Sequence, residues 1–288
     1  MLPLIVSLPF RLPPLTPTSS FSSSLLTTRL YHRGSNNKQI RLDRLLSNRG
    51  PHTRSQITTL IKTRRVTSLD GTEIFNSPKI KVSPSTIFKV NNIISKPLPY
   101  ILKFNKPKNV LTSIGPNEKN HFNRSTLDAY KLPEQYEGKY HPVGRLDYET
   151  SGLLLWSLDG DITHKILSPS SEIQKVYSAK VNGVLSDVNL LVDRIENEGV
   201  QTSEGLHFGK IIQVVKNEKD MDVKLSITEG KHRQIRRMLF NAMKGELEDP
   251  DVLELKRVKV GEVELGELEE GEFIEVLDEE KEWVESLL

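Results

Sequence analysis

The chain has no cysteine. Disulfides, thiolate zinc sites and cysteine nucleophiles are therefore excluded. It has no apolar run near the ~18 residues a helix needs to cross a bilayer, so no membrane partner is expected. Acidic residues are missing from the first 42 positions, which carry Arg11, Arg29, Arg33 and Lys38 together with eleven Ser or Thr and five Pro. An acid-poor, Ser-rich, Arg-bearing start predicts an organelle transit peptide over residues 1–40. Pro3, Pro9, Pro13 and Pro14 interrupt any secretory core. The serines from Ser19 to Ser24 lean towards a plastid, whereas Arg29-Leu30-Tyr31 suits a mitochondrial processing site; both remain open.

Other signals are absent too. His141, His164, His207 and His232 show no zinc-ligand spacing, and no metal site is expected. Ser151 lacks the Gly-x-Ser-x-Gly elbow of acyl transfer. Asp159-Gly160-Asp161 reads as a turn. Asp147 and Glu149 have a spacing open to a glycosidase pair, but that leaves the basic segments unexplained.

What is present is charge, unevenly spread. The net charge of the 288 residues is only +2. Residues 41–98 hold 11 Lys or Arg against 3 Asp or Glu, and residues 246–288 hold 4 against 17. The basic stretch suits a phosphate backbone. Residues 41–94 read as a small domain. Helical apolar spacing runs from Ile40 to Leu46 and stops near Gly50-Pro51. Thr53 with Gln56 predicts a capping box for a second helix, followed by a strand at Val66-Thr67-Ser68 and a turn at Asp70-Gly71. Residues 95–98 are expected to link this unit to a larger domain over 99–278, and residues 279–288 form a terminal tail or helix. Strand candidates at Tyr100–Phe104, Gly152–Leu158, Lys175–Val181, Leu206–Val215 and Val223–Ile227, with helices at Asp187–Ile195 and His232–Met243, predict an α+β fold around one mixed sheet.

The most informative stretch is Gly144-Arg145-Leu146-Asp147-Tyr148-Glu149-Thr150-Ser151-Gly152-Leu153-Leu154-Leu155. An Arg-x-Asp pair precedes turn formers and then an apolar run short enough for a buried strand. The aspartate then lies at the mouth of a sheet, on rigid support but open to a ligand. This stretch resembles the signature of RNA pseudouridine synthases of the ribosomal-RNA branch. Asn105-Lys106-Pro107 with Thr112-Ser113, Lys175-Val176-Tyr177, and Glu229-Gly230-Lys231-His232-Arg233-Gln234-Ile235-Arg236-Arg237-Met238 resemble the branch's other motifs, in order, over roughly residues 99–275. The helix–helix–strand order of residues 41–94 resembles the S-four-like RNA-binding domain.

The resemblance implies a cofactor-free isomerase acting on ribosomal RNA, possessing a catalytic aspartate at Asp147 and an active-site tyrosine at Tyr177. It also implies that Arg236 pairs with Asp147. Helical geometry places Arg236 at the edge of the stripe Ile235, Met238, Leu239 and Ala242, where a guanidinium is well set to hold a buried carboxylate. RNA contacts are expected from Arg54, Lys62, Arg64 and Arg65 in the small domain. In the larger one they are expected from Lys106, Arg145, Lys231, Arg233 and Arg237. Asn109 stands where relatives usually have Gly, in a turn that needs positive φ. The chemistry breaks the ribose–uracil nitrogen bond and rejoins the ribose to a ring carbon. Asp147 assists as nucleophile or as proton acceptor. A monomer bound to ribosomal RNA, alone or in a pre-ribosomal particle, is expected in an organelle. A non-catalytic ribosome-assembly factor of the same shape, or the same chemistry on transfer RNA, is the competing reading.

Overall fold

The computed structural model describes residues 39–114 and 124–288. The expected transit peptide lies outside the described residues, apart from its last two positions. The basic segment forms α1 (Leu42–Arg49), α2 (Arg54–Lys62), β1 (Val66–Ser68), β2 (Phe88–Val90) and β3 (Ile93–Ser95). Thr53 and Gln56 exchange the reciprocal bonds of a capping box, so two orphan amides at the start of α2 are satisfied. Ile57, Ile61, Leu42, Leu46, Val66 and Phe88 close a small core. The expected linker is shorter at its front than its Pro97 suggested, because Ile93–Ser95 pairs with Phe88–Val90. Arg64 adopts φ 60° just before β1, a left-handed turn where glycine costs least.

The larger unit is a mixed sheet. Its main strands are β4 (Ile101–Lys106), β5 (Ser151–Ser157), β6 (Lys175–Asn182), β7 (Lys210–Lys216), β8 (Asp220–Ile227), β9 (Val252–Val260) and β10 (Phe273–Glu275). They lie in the order β7-β8-β6-β9-β5-β4-β10, with two-residue strands His141–Pro142 and Val263–Glu264 pairing at the side. Only β5 and β9 run parallel. The sequence suggested one strand from Leu206 to Val215; a hairpin strand ends at His207 and β7 begins at Lys210. Gly209 sits between them, where a side chain would press on Ser226 O at 3.1 Å.

Both faces of the sheet are covered, which is why Leu153-Leu154-Leu155-Trp156 can be a continuous apolar run. Leu153 and Leu155 pack with α3 (Gly160–Leu167) and α6 (Asp278–Ser286) through Ile162, Ile166 and Val284. Leu154 and Trp156 face the other core, which also contains Tyr177, Leu225 and the α5 (Gln234–Met243) residues Ile235, Met238 and Leu239. The helix expected at Asp187–Ile195 forms as α4 (Val188–Val192), with a change to π-type winding over Asp193–Glu198.

Residues 279–288, read from the sequence as a terminal tail or helix, belong mostly to α6. Glu280 is buried and meets the equally buried Lys103 Nζ at 3.1 Å. Its carboxylate also accepts from Glu264 N at 2.9 Å and Leu277 N at 2.7 Å.

Two register shifts mark the β6–β9 pair, between Val176 and Tyr177 and between Lys180 and Val181. The first leaves Val258 as an extra residue, and Tyr177 then pairs with Arg257. On its other side Arg257 meets Gly152 of β5. A methyl group on Gly152, whose φ is 101°, would lie 2.3 Å from Arg257 O and 2.8 Å from Arg257 N. Only a residue without Cβ fits there.

Two stability outcomes follow from these contacts. Glu280→Ala should cost about 3–5 kcal/mol in urea unfolding, since it strands the Lys103 charge; a loss under about 1 kcal/mol would mean that Lys103 finds water instead. Gly152→Ala should cost more than about 2 kcal/mol through overpacking and strain. A midpoint equal to the parent's would show that β5 and β9 separate freely.

Candidate active site

The loop before β5 is held by its backbone. Every carbonyl from Leu146 to Thr150 is occupied. Thr112 Oγ1 donates to Leu146 O at 2.7 Å. Thr150 N donates to Asp147 O at 3.0 Å, and Asn109 N donates to Tyr148 O at 2.8 Å. Arg236 Nη2 donates to Glu149 O at 3.1 Å. Lys106 Nζ donates to Thr150 O at 2.8 Å. Asn109 has φ 63°, so it takes the turn conformation that the sequence required of it.

The side chain in the middle is treated differently. Among the described residues the Asp147 carboxylate takes no hydrogen bond and no ion pair. It opens into a cavity of about 580 Å³, shared with Arg145, Tyr177, Lys231, Arg233, Ile235 and Arg257. Tyr177 is 7% exposed and reaches the same cavity from β6. The cavity size is within the ~300–1,000 Å³ of small-ligand sites.

Arg236 corrects the sequence reading. Its guanidinium does not clamp Asp147. Nη1 donates to Val252 O at 2.6 Å and Nη2 to Glu149 O. The half-buried group spans α5, the start of β9 and the Asp147 loop, and two carbonyls lie nearer its fork than the carboxylate does. Burial lowers its pKa, which Glu149 and, more weakly, Asp147 oppose. Arg236 thus fixes the aspartate's backbone rather than its side chain.

Lys106 is a second correction. It was expected at a phosphate, yet it is 0% exposed. It ends β4 on the face of Leu102 and Phe104, and Nζ bonds Pro107 O and Thr150 O. Burial pushes its pKa down to about 8, against the pull of Asp147. Arg54 is also engaged: its Nε lies 3.1 Å from the buried Asp43. Arg237 turns away to Glu204 at 2.8 Å and does not line the cavity.

Other expected contacts stay accessible. Lys62, Arg64 and Arg65 are exposed on the small domain, and Arg145 and Lys231 are exposed at the cavity. Arg233, at φ 51° just before α5, points its Nη1 to Glu149 at 2.7 Å. That contact holds the Glu149 carboxyl below its usual range. Arg124 stacks over Tyr148, 4.8 Å from the ring centre.

Sequence reasoning passed over two buried cations here. Lys175 begins β6, and Arg257 lies in β9; both are 5% exposed and line the cavity. The period-two pattern of β9, with Leu255 and Arg257 on one face, is the signal that finds Arg257. Among the described residues no three His, Asp or Glu side chains group in a way that holds a metal ion.

The sequence is similar to those of known proteins. Residues 100–241 fit the family model described as RNA pseudouridylate synthase. Ribosomal large subunit pseudouridine synthase B of Bacillus subtilis is 30% identical over 86% of this chain and 96% of its own length. An uncharacterized RNA pseudouridine synthase of Aquifex aeolicus is 30% identical over 83% of this chain and 90% of its own. Ribosomal large subunit pseudouridine synthase B of Escherichia coli K12 is 28% identical over 78% and 75%. With nearly the whole of a curated relative matched along one continuous chain, this protein belongs to the RNA pseudouridine synthase family and is an RNA-modifying isomerase.

Proposed function

We propose that the protein converts particular uridines of organellar ribosomal RNA to pseudouridine, with Asp147 as its catalytic group. The observation that carries this reading is the free Asp147 carboxylate. Its loop is tied down at five carbonyls, while the side chain itself is left to a ligand. A group held by its backbone and not by a partner is ready to act on a substrate atom without first breaking a bond.

The substrate uridine leaves its stack and enters the cavity beside Tyr177. Extrusion costs a few kcal/mol, least in a loop or bulge. The Tyr177 ring then faces the base. Asp147 adds to the ribose or takes a proton from it as the base departs. Exposed Arg145 and Lys231 at the rim hold the flanking phosphates. Lys62, Arg64 and Arg65, on the S-four-like unit, extend that grip along the RNA. Arg44 joins the two units by ion pairs to Asp159 at 3.0 Å and Asp161 at 3.3 Å.

Ribosomal RNA is favoured because the relatives from Bacillus subtilis and Escherichia coli carry names of ribosomal large subunit enzymes. The acid-free opening segment supports an organelle, plastid or mitochondrion.

Asp147→Asn should abolish pseudouridine formation, by at least about 10³-fold, with RNA affinity and melting temperature close to the parent's. Product formed at the parental rate removes Asp147 from the chemistry. Mapping pseudouridine in organellar RNA with and without the protein tests the substrate. A site lost from ribosomal RNA supports the proposal, and one lost only from transfer RNA overturns it.

A further inference from the structure

One buried cation in the cavity has no protein partner for most of its donors. Arg257 is 5% exposed, and Nε donates to Leu153 O at 2.7 Å. Among the described residues its two Nη nitrogens make no hydrogen bond and no ion pair, and the side chain lines the cavity. Its four Nη hydrogens are therefore left to whatever occupies the cavity. Buried charges are normally paired.

Its neighbours deepen the imbalance. Lys106 and Lys175 are buried nearby, but each spends its ammonium on two carbonyls: Pro107 and Thr150 for the first, Ile173 and Thr228 for the second. Burial, with Arg257 adding to it, pushes both down to about 8. Asp147 is the one acidic side chain among the described cavity residues. The floor therefore has more positive charge than the protein balances, and a bound anion would correct it.

We propose that Arg257 is a catalytic group whose free Nη donors hold the departing uracil as an anion. This inference rests on the uridine reading above. The N1–C1′ bond breaks with its electron pair passing to the base. The resulting charge spreads over N1 and the two ring carbonyl oxygens, leaving C1′ electron-poor and assisted by Asp147. The base turns, C5 bonds to C1′, the C5 proton leaves and N1 takes up a proton. No atom or electron is gained or lost. A planar fork that donates to a ring carbonyl can follow the base through this turn and keep it from escaping. Depth selects the base over a phosphate as the anion. The RNA backbone stays at the rim, where Arg145 and Lys231 are exposed, and only the base reaches the floor. Tyr177, paired with Arg257 across the strands, lies beside the same position.

The test compares wild type, Arg257→Lys and Arg257→Ala in single turnover at saturating RNA, on whichever RNA the wild type modifies. RNA affinity should stay within about threefold, while the rate falls about 10²–10³-fold in both variants, the loss typical of one oxyanion donor. Added methylguanidinium should restore part of the Arg257→Ala rate, and methylammonium should not. A rate within about threefold of wild type overturns the proposal, as does a loss confined to RNA affinity. Should the variants not fold, wild type alone decides by inhibition. 6-Hydroxyuracil, an acid ionised at neutral pH, should compete at least about tenfold better than neutral uracil, a gap worth about 1.4 kcal/mol; equal inhibition overturns the proposal. The substrate reading fails separately, if the modified RNA proves to be a transfer RNA.

Discussion

The five occupied carbonyls around Asp147 are the constraint on which the site depends. Hydrogen bonds to carbonyls fix a backbone without neutralising a side chain. Thr112 and Asn109 reach the loop from the segment after β4, Arg236 from α5, and Lys106 from the end of β4 itself. Two separate stretches of sequence, residues 106–112 and α5, thus converge on one short loop. Its position is set by the completed fold, and its carboxylate pays none of its own bonding capacity for that placement.

The same economy runs through the charges beneath it. Lys106, Lys175 and Arg257 are all withdrawn from solvent. Isolated burial of such groups is costly, and carbonyl oxygens offset only part of that cost. Gly152 lets the β5 and β9 backbones close on each other, and their contact fixes where the Arg257 side chain starts. A looser sheet would let these cations swing towards water. Electrostatic preorganisation of this kind is strongest in a dry, rigid site.

Much of this was legible in the sequence, and the exceptions have physical causes. The capping box at Thr53 and Gln56 and the α5 stripe Ile235, Met238, Leu239 and Ala242 appear where their spacing puts them. Local rules suffice for these because the interactions are local. The run Leu153–Trp156 identified a strand but not what covers each face. The helical wheel put Arg236 at the edge of the stripe, but it could not choose between a carboxylate and a carbonyl of the same loop. Lys106-Pro107-Lys108 looked like a charged surface turn. Alternation from Leu102 through Phe104 puts Lys106 inside, which composition alone conceals. Arg257 was hidden among the acidic residues of the last segment, where the overall charge drew attention away from a single inward position. The sequence left the final helix open as helix or frayed tail, because the groups that hold it, Lys103 and Gly261, come from a strand far earlier in the chain and from a turn after β9.

The bulge at Val258 has a genetic corollary. By taking up one residue beside the Tyr177–Arg257 pair, it absorbs Val258 without disturbing the pairs on either side. Removing that single codon would make the pairs Tyr177–Arg257 and Val176–Lys259 consecutive and leave Lys256 and Arg257 facing as they do. Descendants of this gene can thus lose that one codon with less disturbance than a codon inside the regular ladder, where a deletion turns the side chains beyond it to the other face.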